Sequence, residues 1–125
     1  MSVPSGARGE NLTTVFTLAS DLLALVIMTT MNNRHFPHKY TRELGEPLVA
    51  VARKVMHHVY GAERATSAAR RETCIENAFI EMNNLQAEIH LNFLRFKLKA
   101  PKAGEISDKL TELRTKFTAW CKAVR

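Results

Sequence analysis

The chain has 125 residues, of which 46 % are hydrophobic and 24 % charged, with five glycines and four prolines. That length makes one domain with a core that needs no staples, and so few turn residues exclude a turn-rich β-sandwich. Eighteen lysines and arginines against twelve acidic residues give a formal charge of +6, which favours nucleic acid, acidic proteins or anionic surfaces as partners.

Residues 1–9 contain Pro4, Gly6 and Gly9 and no periodicity, which predicts a flexible lead-in to a domain over 10–125. The same stretch holds no apolar signal core, and the longest apolar run, Leu22 to Met28, is far short of the ~20 residues of a membrane span. Cys74 and Cys121 form no CxxC and no framework of spacings, the pattern of reduced thiols. The expectation is a soluble cytoplasmic protein with no membrane partner.

A first helix is predicted from Glu10–Leu12 to about Asn33, with Asn11 as its cap and Leu12, Val15, Phe16, Ala19, Leu22, Leu23, Val26 and Ile27 as its apolar face. It ends at the turn RHFP, where Pro37 holds Phe36 extended and suits the start of the next helix. Helix two carries Leu44, Leu48, Val51, Val55 and Val59 at helical spacing. Pro47 within it cannot donate to the carbonyl of Glu43, which predicts a kink or restart at Gly45–Pro47. Gly61 is either a C-terminal stop or a close-packing position. Residues 62–70 are read as a turn and the beginning of helix three, the longest element, whose face Ile75, Phe79, Met82, Leu85, Ile89, Phe93 and Phe96 runs to about Lys99. Ala100–Gly104 with Pro101 breaks it, and Ile106, Leu110, Leu113, Phe117, Trp120 and Val124 mark a short last helix. Four helices joined by short turns predict an all-α, antiparallel up-down-up-down four-helix bundle.

The segment Ile89 to Lys99, IHLNFLRFKLK, has a second apolar stripe: Leu91, Leu94 and Leu98 recur at three and four beside the core stripe. One helix face suffices for a monomer, so these three leucines are the predicted oligomer interface. Arg95, Lys97 and Lys99 lie in the same turns. In an up-down bundle they share an end with Arg34, His35, His38, Lys39, Arg42 and Lys102, while Arg64, Arg70, Arg71, Lys122 and Arg125 collect at the other. Arg34, Lys39, Arg42, Arg64, Arg70, Arg71, Arg95, Lys97, Lys99 and Lys102 are therefore the candidate residues for nucleic-acid or partner binding. Each alone could equally be a solvated surface charge.

No catalytic constellation is present in the sequence. The five histidines include no i, i+4 pair with an added acidic ligand, as zinc or di-iron bundles use. There is no GxSxG, phosphate loop or dinucleotide turn, and no base is singled out for either cysteine. Neither catalysis nor a cofactor is expected.

The FP turn (Phe36, Pro37), the run KYTRELGEPLVAVARKVMHHVYGA, the LRF ending of helix three (Leu94 to Phe96) and the tail with Trp120 and Lys122 resemble the four-helix-bundle family of ribosomal-RNA intervening-sequence proteins and accessory variability determinant proteins of diversity-generating retroelements. The likeness covers about Leu12 to Arg125; Pro47 departs from the usual helix formers there. The resemblance implies a ring-like homo-oligomer, a pentamer, that binds template RNA or single-stranded DNA and assists a reverse transcriptase in cDNA synthesis for mutagenic retrohoming. The alternative reading of the residues is a helical scaffold that docks an acidic protein and never touches nucleic acid.

Overall fold

The computed structural model describes residues 13–32, 36–98 and 100–125. Four α-helices make up nearly all of it: α1 (Thr14–Met31), α2 (Glu46–Arg64), α3 (Ala68–Ile89) and α4 (Ala100–Val124), and no strand occurs among the described residues. Helix α1 packs on α2 and α4, and α3 packs on the same two helices. The core between them is aliphatic, with Leu22, Leu48, Met82, Leu85, Leu110 and Phe117 among its fully buried side chains.

The predicted cap Asn11 lies outside the described residues; the helix described begins at Thr14 with Thr13 as N-cap, its hydroxyl accepting from the Phe16 amide at 3.0 Å. The same hydroxyl donates to the Glu63 carboxylate, which ties the start of α1 to the end of α2. Helix α1 stops at Met31, before the two asparagines. By length and composition α1 could cross a membrane, a property the run-length reading passed over because threonines and Ala19 interrupt the larger apolar residues. Its Leu18, Leu22, Leu23 and Val26 are buried against neighbouring helices, the ordinary position of a core helix.

After Phe36, which is wholly buried, Pro37 precedes a 3₁₀ turn over His38–Tyr40, and a π-helical turn follows over Thr41–Gly45. The Glu46 amide donates to the Thr41 carbonyl, five residues back. Helix α2 follows without a break, Gly45 being already at φ −70°, ψ −48°, with Pro47 in its first turn. The helix accommodates Pro47 beside a π turn in place of regular α-geometry, at the position where the sequence predicts a kink or restart. Gly45 is held by contact rather than by φ: a Cβ on it would stand 3.2 Å from the Phe36 ring. In α2 the buried series is Leu48, Ala52, Val55, Val59 and Ala62; Val51 is half-buried, so spacing decides over side-chain size. Gly61 is not a stop, since α2 continues to Arg64, and a Cβ there would meet Cys74 Sγ at 3.1 Å.

Ser67 caps α3, accepting from the Arg70 amide at 3.2 Å. The α-helical part ends at Ile89, and His90–Arg95 forms a second π-helical turn, closed by Phe96 N–H to Leu91 O at 3.0 Å. The expected run to Lys99 is therefore too long, and Lys99 itself is outside the described residues. Lys97 adopts φ 55°, and the Leu98 amide reaches back to Asn92 O at 3.2 Å, a wider relative of the Schellman closure. This geometry reverses two side chains. Leu98 turns into the core at 8 % exposure while Phe96 is 45 % exposed, so Leu98 leaves the predicted interface stripe and Phe96 leaves the predicted core. Pro101 does not break a helix; it lies in the first turn of α4, which at 25 residues exceeds the 22 of α3.

Candidate nucleic-acid interface

The end of the molecule that holds both π turns gathers one set of the predicted cations. The Tyr40 and Phe96 rings meet at 5.7 Å between centroids, joining the segment before α2 to the end of α3. Lys39 Nζ lies 5.1 Å from the centre of the Tyr40 ring. Arg42, Arg95 and Lys97 are exposed in the same turns, and among the described residues none of these four cations is paired with a carboxylate. Lys102 differs, because it is bound to Glu105 at 3.1 Å with its side chain 29 % exposed. Arg34 and Lys99, like His35, lie outside the described residues.

Exposed apolar side chains flank these cations. Leu94 is 65 % and Leu91 36 % exposed, so two of the three predicted interface leucines remain on the surface. Between them Asn92 is completely buried; its amide donates to Glu88 O at 2.7 Å, and its Oδ1 has no partner among the described residues. Arg95 and Lys97 also sit at the C-terminal pole of α3, where positive charge is favoured by the helix dipole.

The opposite end holds the second set. Arg64 stacks over the Tyr60 ring at 5.2 Å, and Tyr60 in turn meets Phe16 at 5.2 Å. Arg125 forks onto Glu72 through two bonds of 2.8 and 2.9 Å, a hydrogen bond that holds the Glu72 carboxyl below its ordinary range. Arg70 is exposed and Arg71 half-buried in the first turn of α3. They oppose the helix dipole there. At the end of α2 burial pushes the Glu63 carboxyl up, against the Thr13 hydrogen bond and the Arg64 charge.

Both cysteines are free thiols. Burial pushes the Cys121 thiol up, which suits a packed small hydrophobe. No group of three histidine, cysteine or acidic side chains is placed to hold a metal among the described residues.

Sequence reasoning passed over Arg53 and Lys54. Both are exposed on α2 and, with His57, edge a cavity of about 470 Å³ floored by Gly45, Val49 and Ala50. A second cavity of about 430 Å³, reaching Phe16, Met56, Tyr60 and Arg64, shares His57 with it. The signal was available: 46, 49, 50, 53, 54 and 57 lie on one helical face, but α2 was read only for its apolar stripe. No family model matches this chain, and no curated protein or solved structure matches it.

Proposed function

We propose that this protein is a non-enzymatic, cytoplasmic nucleic-acid-binding accessory protein of the family it resembles, binding template RNA or single-stranded DNA and assisting a reverse transcriptase of a diversity-generating retroelement. The observation that carries the reading is the end where Lys39, Arg42, Arg95 and Lys97 stand without carboxylate partners among the described residues, in the two segments joined by the Tyr40–Phe96 contact. Single-stranded nucleic acids are held by this combination, cations for phosphates and an aromatic face for a base. The subunit reading is an antiparallel up-down-up-down bundle, supported by the Thr13–Glu63 and Arg125–Glu72 contacts between the starts and ends of different helices. Self-association is supported by the exposed Leu91 and Leu94; the pentameric ring is what the resemblance implies. A ring multiplies the +6 of each chain into a field that attracts polyanions with little sequence preference.

The test is binding of a single-stranded DNA and of a structured RNA across a salt series. The slope of log affinity against log salt is expected at about −0.7 for each phosphate contacted on a single strand. Replacing Lys39, Arg42 and Arg95 together by alanine should weaken binding and flatten that slope, with the helical signal unchanged. Equal replacement of Arg64, Arg70 and Arg71 should do less. Absence of binding at low salt refutes the function, and a larger loss from the second triple moves the site to the other end.

A further inference from the structure

The two cavities that share His57 lie end to end along α2. The first has Gly45, Val49 and Ala50 at its floor, and the second opens between Phe16, Met56 and Tyr60. Helix α1 supplies Thr30 to the first and Phe16 to the second, near its two ends. Together they make one trough between α1 and α2. Its border is positive: Arg53 and Lys54 edge the first cavity and Arg64 the second, against the carboxylate of Glu46 beside Gly45. With His57 neutral, these cations still outnumber the acid. Arg53 and Lys54 have no ion-pair partner among the described residues, and Arg64 lies over the Tyr60 ring.

We infer that this trough docks an amphipathic helix of a partner protein, one with large apolar side chains at i and i+7 and carboxylates in the turns between them. Val49 and Met56, one in each cavity, are seven residues apart on α2, about 10 Å at 1.5 Å per residue. A helix laid alongside α2 repeats that spacing, so its two apolar anchors enter the two cavities. Carboxylates between the anchors then meet Arg53 and Lys54. A helix also satisfies its own backbone groups, and an aliphatic floor leaves none of them stranded. Ala50, exposed and small, lets the incoming backbone approach closely. The positive border fixes the register and turns away basic helices.

Other occupants fit less well. A single strand would find phosphate partners on the border, but its bases would lie on an aliphatic floor. The one exposed ring, Tyr60, is already in contact with Phe16 and Arg64. A flat lipid surface does not reach into a concave trough. The chain's own exposed leucines, Leu91 and Leu94, are three residues apart and followed by Arg95 and Lys97, the wrong spacing and the wrong charge. None of the four cations assigned above to nucleic acid lines the trough, so the docking stands apart from that reading.

Fluorescence anisotropy of the full chain with labelled helical peptides tests the docking. The probe peptide carries leucines at i and i+7 with glutamates between them. Its controls carry lysines for the glutamates, or alanines for the leucines, and both should bind at least about tenfold more weakly. Arg53→Glu together with Lys54→Glu should weaken the glutamate peptide at least about tenfold and admit the lysine peptide in its place, a reversal that damage to folding would not produce. Ala50→Phe, which fills the first cavity from an exposed position, should weaken the glutamate peptide with every charge intact. Circular dichroism of both variants should match wild type. Failure of the glutamate peptide to bind at about 100 µM, or equal binding of the lysine or the alanine peptide, overturns the inference. So does binding that ignores Ala50→Phe, because net charge alone would then explain it. If wild type ignores the peptides and the double reversal abolishes binding of single-stranded RNA, the trough belongs to nucleic acid.

Discussion

Lys97 occupies a backbone conformation that its side chain opposes, and replacing it by glycine should stabilise the fold. At φ 55° the Cβ crowds the following carbonyl, at a cost of about 1–2 kcal/mol for an L-residue, whereas glycine escapes that cost but loses about 0.5–1 kcal/mol more entropy on folding. The net gain for Lys97→Gly is about 0.5–1 kcal/mol. With an unfolding entropy of about 2.1 cal/mol/K per residue, a chain of 125 residues has roughly 260 cal/mol/K, so Tm should rise by about 2–4 °C. Lys97→Ala is the matched control, since it removes the same charge and keeps the Cβ. Thermal unfolding at one fixed protein concentration compares the two without a mass-action artefact. Should Lys97→Gly melt at or below Lys97→Ala, the closure of α3 described above is wrong.

Other substitutions check separate features. At dilutions where both variants are monomeric, urea unfolding should show Leu98→Ala losing about 2–4 kcal/mol and Leu94→Ala within about 0.5 kcal/mol of wild type; similar losses would mean that the two leucines share one environment. Gly61→Ala should gain about 0.5–1 kcal/mol in a Cys74→Ala background through helix propensity, and gain nothing where Cys74 Sγ stands 3.1 Å from the new Cβ. Equal effects in the two backgrounds would remove the proposed contact. For Glu63, whose carboxyl is raised above 4.5, the favourable contribution is complete below that pH and is lost as pH rises through the folded value. Glu63→Gln should therefore gain on wild type between pH 4.5 and neutrality in chemical denaturation, and a constant difference across that window would contradict the burial argument.

The helical class and most core positions were legible because apolar spacing survives without tertiary information. Ile75, Met82, Leu85 and Ile89 are buried where a 3.6-residue period puts them. The exchange of Phe96 and Leu98 was not legible, since it depends on a π turn and on a lysine in a conformation normally left to glycine. Pro101 was misread because proline at a helix start and proline at a break have the same local composition. Of the candidate site, the exposed cations Lys39, Arg42, Arg95 and Lys97 could be anticipated, but the Tyr40–Phe96 contact that links their two segments could not. Arg53 and Lys54 were overlooked because a polar residue on the outer face of an amphipathic helix looks like solvent-facing filler until a cavity forms beside it.

The two π turns bear on how this chain tolerates changes of length. A π turn is an α-helix carrying one residue more than its span needs. Deleting a single position within His90–Arg95 can be absorbed by reversion to α-geometry, whereas at Thr41–Gly45 the same reversion would return Pro47 to a regular helix interior. The same deletion between Met82 and Leu85 has no slack to consume and would rotate the rest of α3 by about 100°. Insertions and deletions among homologues should thus collect at the end of α3, beside Arg95 and Lys97, and spare the middle of the helices.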